Sequence, residues 1–365
     1  MSEGRLERAR RAMRDREVDA LLVGPGADLR YLVGHEAPPL ERLTLLVVPA
    51  EGRPSLVLPA LEAPLAEAAG VGDHAEVVAW GETEDPVALV VERLRTHGSH
   101  EGALAVQDRL WTMFTLSLQA ALPRARWLPG STVMRELRLR KEPEEIAALH
   151  AAGAAIDGVH ARVPDLLAPG RREVEVAADL EELIRQDHDT VNFVIVGSGP
   201  NGASPHHEAS DRRLEPGDAV VIDIGGTRAG YCSDMTRDYV VGRAPEGYPA
   251  LHRVLEEAQE AAVAAVAPGV AAEDVDIAAR RVIEEAGYGP RFIHRTGHGI
   301  GVEEHEEPWI VAGNRLPLEP GMAFSVEPGI YVPQRYGARI EDIVVVTEDG
   351  VERCNHRPRE VVVCG

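Results

Sequence analysis

Cysteine is scarce. Cys232, Cys354 and Cys364 are the three in the 365-residue chain, and none is in a CxxC spacing. An odd, scattered trio excludes a disulfide framework and a thiolate-type zinc site. Long apolar runs are missing as well: nowhere do the ~18 consecutive apolar residues of a membrane-crossing helix occur, and the N-terminal stretch lacks the apolar core of a signal peptide. The expectation is a protein of the reducing cytoplasm with no membrane partner. Positive charge is outnumbered, with Lys+Arg 38 against Asp+Glu 60 and a formal charge of −22. That field repels phosphate backbones and anionic lipid, which argues against nucleic-acid binding.

What is present is the mixture of a globular protein, 44% apolar and 27% charged. The length exceeds one ordinary core, so two domains are expected. Helical spacing of Leu6, Ala9 and Met13 predicts a helix over 3–17. Short apolar runs at 20–23, 44–48, 55–58 and 76–79 alternate with helical patterns at 86–95 and 110–121, which indicates an α/β domain over 1–131. Its polar residues converge on no chemistry, and His35 near a strand end reads as a surface-loop histidine. The second domain, 132–365, begins with a basic stretch. Pro143 then starts a helix, with acids behind it to suit the positive helix end, that runs to about residue 166. A second helix follows over 174–186, a strand over 191–196, and later helices over 248–266 and 272–286.

The chemistry lies in this second domain. Residues 220–241, VVIDIGGTRAGYCSDMTRDYVV, read as a β-hairpin with Asp223 and Asp234 on its two arms. If the acids pair directly, its centre falls between Arg228 and Ala229. Like charges in that arrangement are destabilising unless something positive lies between them. The hairpin alone fits a metal or a solvated turn. His294, His298 and His305 cluster in FIHRTGHGIGVEEHEEP, where Gly297 and Gly299 beside His298 permit close backbone approach and argue against a helical HExxH site. Glu327 and Glu341 then form a second acid pair, related about Gln334. An internal pseudo-repeat follows: helices, then a strand hairpin with one acid on each arm. His206 and His207 sit on a Gly/Ser/Pro/Asn-rich loop that reads as exposed.

Asp223, Asp234, His298, Glu327 and Glu341 supply four carboxylates and one imidazole. A single divalent ion would be over-supplied with negative charge, whereas two would balance it. The oxygen-rich set suits Mn²⁺, with Co²⁺, Fe²⁺ or Zn²⁺ as alternatives. Two metals with a bridging hydroxide imply metal-assisted hydrolysis.

The motifs VVIDIGGTRAGYCSDMTRD, HRTGHGIGVEEHEEP, SVEPGIY and ARIED resemble the "pita-bread" metallopeptidases, in particular the Xaa-Pro dipeptidase (prolidase) and aminopeptidase P branch. The first domain resembles the N-terminal domain of that branch. The resemblance implies an α/β N-terminal domain and an α+β pita-bread catalytic domain with pseudo-twofold symmetry. It also implies hydrolysis of Xaa-Pro bonds in dipeptides or short peptides, and a homodimer. By the same resemblance Asp223 binds one metal, Asp234 and Glu341 bridge the pair, and His298 and Glu327 hold the other. Glu327 shuttles the proton, His206 and His305 act on the scissile carbonyl, and His294 and Arg339 line the pocket and orient ligands. No role falls to His207. One residue departs from the pattern: many prolidases have an arginine after the motif of His305 to hold a dipeptide's free carboxylate, and here Trp309 follows HEEP. Strict dipeptide specificity then requires another cation, such as Arg335 or Arg339, in its place; Arg335 reads equally as a solvated loop arginine. Aminopeptidase P activity on longer peptides is the alternative. A creatinase-like hydrolase or a non-catalytic binding module is disfavoured because every ligand and histidine is present.

Overall fold

In the computed structural model, which describes residues 2–365, the short Val/Leu runs of the N-terminal part become strands. They are β1 (Ala20–Val23), β2 (Leu45–Pro49), β3 (Ser55–Pro59), β4 (Glu76–Trp80), β5 (Ala103–Val106) and β6 (Arg126–Pro129). They form one mixed sheet in the order β4-β3-β2-β1-β5-β6. The inner strands β1 and β2 are buried along their whole length, as their unbroken apolar runs require. His35, expected at the surface, is instead only 3% exposed, and burial lowers its pKa. It follows the helix Ala27–Val33, which the apolar pattern had not revealed.

The chain divides into two compact units at Arg138/Leu139, rather than near residue 131. The intervening helix Ser131–Arg138 belongs to the first unit. Arg16 holds its Glu136 at 2.7 Å, and Arg8 and Tyr31 donate to the Leu137 carbonyl.

The second unit opens with the helix Pro143–His160. Glu145 folds back to accept the Glu142 N–H at 3.0 Å, closing the first turn. The helix stops at His160 and does not run on to Leu166; a separate turn, Val163–Leu166, follows. Pro164 has no N–H to give the His160 carbonyl, and the Tyr239 hydroxyl donates to it at 3.2 Å instead. A second helix, Glu173–Asp187, joins the first over the strands β7 (Thr190–Ser198), β8 (Ala219–Arg228) and β9 (Tyr231–Val241). Ile156, Leu180, Ile222, Ile224 and Met235 fill that core.

The second half repeats the plan. The helices Tyr248–Ala264 and Ala272–Glu285 share a core with Phe324, Val326, Ile330 and Val344. The strands there are β10 (Gly297–Gly299), β11 (Glu306–Ile310), β12 (Ala323–Val326), β13 (Gly329–Val332), β14 (Tyr336–Arg339), β15 (Asp342–Val346) and β16 (Val351–Arg353). Strand β17 (Val362–Cys364) returns to the first half and pairs in parallel with β9. Two helix pairs, each set over a strand hairpin that bears two acids, make the expected pseudo-repeat. Among the described residues, no helix is long and apolar enough to cross a membrane.

Candidate metal centre

The first acid pair is offset. β8 and β9 register Asp223 against Thr236 and Gly225 against Asp234, so the two acids are diagonal rather than directly opposite. The turn residues Ala229 and Gly230 both have positive φ, 49° and 82°, which makes a two-residue hairpin turn one position beyond the expected centre. The offset keeps both carboxylates on one face and separates them, which lowers their repulsion. Opposite Asp234, a Cβ on Gly225 would lie 2.6 Å from the Ser233 carbonyl, so only glycine fits.

The second pair has the register read from the sequence. β13 pairs with β14, and β12 with β15, as one ribbon centred on Gln334. Glu327 and Glu341 lie opposite each other in the gap between these two ladders, where the backbone is free to turn both carboxylates inward.

His298 comes from β10. The flanking glycines serve the neighbouring strands: a Cβ at Gly297 would collide with the Ser325 carbonyl, and one at Gly299 with that of Glu307. The His298 Nδ1 is 3.1 Å from the Gly299 carbonyl, which can only accept, so Nδ1 carries a proton and Nε2 is the ring atom turned to the acids. Nε2 faces Glu327 Oε1 at 3.2 Å and Asp234 Oδ2 at 3.7 Å. Donor atoms of Asp234, His298 and Glu341 lie within 4.8 Å of one another. Ser325 steadies the set, accepting the His298 N–H and donating to Glu327 Oε1, each at 3.0 Å.

Electrostatics show what is missing from this cluster. Burial, then the charges of Glu341, Asp223 and Glu327, push the Asp234 carboxyl well above the usual range. Burial, Glu327 and Asp223 do the same to Glu341. Burial also acts to raise Glu327, but the hydrogen bond and charge of His298 outweigh it and hold Glu327 low. Asp223 Oδ1 and Asp234 Oδ1 are buried without a hydrogen-bond partner. Buried, crowded and under-partnered carboxylate oxygens beside an imidazole nitrogen are the donor set that divalent cations fit.

The five expected ligands, with His206, His294, His305 and Arg339, line a single cavity of about 520 Å³. Arg339 uses four of its five N–H groups there. It donates to Asp223 Oδ2 at 2.5 Å, the Tyr331 hydroxyl at 2.8 Å, Thr236 Oγ1 at 3.1 Å and the Pro205 carbonyl at 3.3 Å. The Thr236 hydroxyl in turn donates to Glu341 Oε2 at 2.8 Å, which ties the two halves together. His294 gives its Nδ1 proton to the Arg295 carbonyl and accepts from Tyr331, so both its nitrogens are occupied. The His305 ring stands edge-on to that of His298, centroids 4.0 Å apart, and burial together with the His298 charge lowers its pKa to about 4. His206 reaches the cavity from an exposed position, while His207 turns away to Glu173.

Arg335 is absent from the lining. It stacks on Tyr336 and donates to the Glu246 carbonyl. Phe193, Ile195, Pro205, Arg295 and Glu304 also line the cavity, and the sequence had not marked them. Phe193 and Ile195 alternate along β7 and register against Gly225 and Asp223, so their face is that of the acids. The alternation was visible in the sequence; the register was not.

Residues 147–348 match the family profile of Metallopeptidase family M24, and residues 5–140 that of the Creatinase/Prolidase N-terminal domain. The chain is 52% identical over 362 residues to the "Probable dipeptidase PepE" of Mycobacterium tuberculosis, covering 98% of this chain and 96% of the relative. It is 34% identical to an Xaa-Pro dipeptidase of Lactobacillus helveticus, over 98% of both. The crystal structure of the dipeptidase PepE from Mycobacterium ulcerans superposes with a TM-score of 0.94 at 50% identity, covering 99% of this chain and 97% of that one.

Proposed function

Since the chain belongs to metallopeptidase family M24 and carries a creatinase/prolidase-type N-terminal domain, we propose that it hydrolyses Xaa-Pro dipeptides with two divalent ions. The observation that carries this reading is the meeting of Asp223, Asp234, Glu327, Glu341 and His298 in one cavity. The substrate class is supported by a relative named Xaa-Pro dipeptidase that matches along nearly the whole chain.

Asp223 would hold one ion, His298 and Glu327 the other, and Asp234 and Glu341 would lie between them. When bound, the ions supply Lewis-acid charge and lower the pKa of an attacking water. The oxygen-rich donor set favours Mn²⁺. Ser325 occupies Glu327 Oε1, which leaves Oε2 to move the proton. It takes one as water attacks the carbonyl and delivers it to the proline nitrogen, which cannot leave unprotonated. His305, neutral because its pKa is about 4, offers an N–H to the carbonyl oxygen as that atom gains charge. Phe193 and Ile195 give the proline ring an apolar wall. An X-Pro bond has no amide hydrogen to grip, so this wall carries recognition that hydrogen bonds supply elsewhere.

The test is to strip the protein of metal and titrate Mn²⁺, Co²⁺ and Zn²⁺ while following hydrolysis of Ala-Pro and Ala-Pro-Ala. The expected result is metal-dependent cleavage, fastest with Mn²⁺ and faster on the dipeptide. No turnover on either peptide would sink the reading. A tripeptide rate far above the dipeptide rate would make the protein an aminopeptidase P.

A further inference from the structure

A dipeptide brings its own carboxylate into this cavity, on the carbon next to the scissile nitrogen. The walls already carry Asp223, Asp234, Glu304, Glu327 and Glu341. Two divalent ions balance the four carboxylates that would hold them, and leave nothing for a further anion. A free terminal carboxylate therefore needs a cation of its own. Arg339 is already committed: all three of its nitrogens donate, to Asp223, Tyr331, Thr236 and Pro205. Arg335 does not reach the cavity.

Arg295 does reach it. Its guanidinium lies over the Trp309 ring, 4.4 Å from the centroid. Trp309 stands directly opposite His298 in the β10–β11 ladder, so its side chain shares the face of that imidazole. Among the described residues, no carboxylate lies within ion-pair distance of Arg295 and no side-chain hydrogen bond restrains it. Stacking engages the flat face of a guanidinium and leaves its in-plane N–H groups free, the fork that matches a carboxylate in bidentate fashion. Half-buried and positive in an acidic cavity, Arg295 is a cation without a partner. Burial lowers its pKa, opposed by the charge of Glu327.

We propose that Arg295, held flat by Trp309, is the receptor for the free carboxylate of the substrate and selects dipeptides over longer or capped chains. This rests on the Xaa-Pro reading above. Trp309 then has a function of its own: the aromatic platform for an arginine in the segment before β10 replaces an arginine at the tryptophan's position.

The test uses the Mn²⁺-loaded protein and two analogues of Ala-Pro in which a methylene replaces the scissile carbonyl, one ending in carboxylate and the other in carboxamide. Calorimetry should show the carboxylate form bound about 10- to 100-fold more tightly. In Arg295→Met that preference should vanish while carboxamide affinity is unchanged, which also reports an intact fold. Arg295→Lys should retain part of the preference, because it keeps the charge but loses the fork. Trp309→Ala should weaken carboxylate binding and Trp309→Phe largely preserve it. A preference that survives in Arg295→Met, or is absent from the unaltered protein, overturns the proposal. If Ala-Pro is not hydrolysed but the preference exists and depends on Arg295, the peptidase reading fails and the carboxylate receptor stands.

Discussion

His207 Nε2 lies 2.8 Å from Glu173 Oε2, and that carboxylate is the anchor for the whole loop that carries His206. Glu173 is fully buried at the start of its helix, and also accepts from Ser198, Asn201 and Ser210. A histidine with no chemistry of its own thus positions its neighbour. Glu173→Ala should leave several donors unsatisfied, costing about 3 kcal/mol and roughly 6 to 12 °C in Tm, with activity lost through misplacement of His206. His206→Ala should lose activity with Tm nearly unchanged. Differential scanning calorimetry and dipeptide assays on both variants separate anchor from participant. Equal Tm losses would show that His206 too is structural.

Metal removal should destabilise the second unit. Asp223, Asp234, Glu327 and Glu341 face one cavity, and burial with mutual repulsion already raises Asp234 and Glu341. Ions at about 100 times their dissociation constant stabilise by about 2.7 kcal/mol per site, or roughly 5 to 10 °C for a unit of this size. Thermal scans in chelator and then in excess Mn²⁺ measure the difference. Identical midpoints would mean that no ion binds.

Asp234→Asn should act in opposite directions on activity and on stability without metal. It removes a carboxylate that faces Glu341, Asp223 and Glu327, so the metal-free variant should melt no lower than the metal-free parent. Hydrolysis should fall by at least about 100-fold, since the proposed bridging charge is gone, and the Mn²⁺-induced rise in Tm should shrink. Near-normal turnover would remove Asp234 from the ligand set.

Acid should weaken the first half of this unit through His160. The ring is completely buried between the Tyr239 hydroxyl at 3.0 Å and the Met235 carbonyl at 3.1 Å, and burial lowers its pKa from 6.5 to about 3. Below pH 6.5 the unfolded chain takes a proton that the native state refuses until about pH 3. Stability is therefore lost as the pH falls through that window, by at most about 5 kcal/mol. His160→Gln should be less stable at pH 7 but flatter between pH 6.5 and 4. Urea unfolding at both pH values decides it; parallel slopes would assign the acid sensitivity elsewhere.

How much of this was legible in the sequence depended on whether the signal was local. The Gln334-centred ribbon could be read because its two ladders share one register. The first hairpin was misread by one position, because the assumption that two acids pair directly ignored what Ala229 and Gly230 at positive φ impose. All the metal-binding candidates sit in short motifs, and the fold brings all of them to one cavity. Arg295 was invisible as a site residue because its meaning depends on Trp309, a partner on a neighbouring strand. His35 was misplaced because nothing in YLVGHE shows that the loop after its helix turns inward.

The ribbon that presents Glu327 and Glu341 is closed on both sides of the acids, by β12–β15 towards the core and by β13–β14 towards the tip. The spacing of the two carboxylates is therefore set by hydrogen bonds next to them, and the turn at Gln334 bears none of that burden. That tip is a graft point: a peptide tag or fluorophore loop inserted there would extend the outer ladder without shifting the acids.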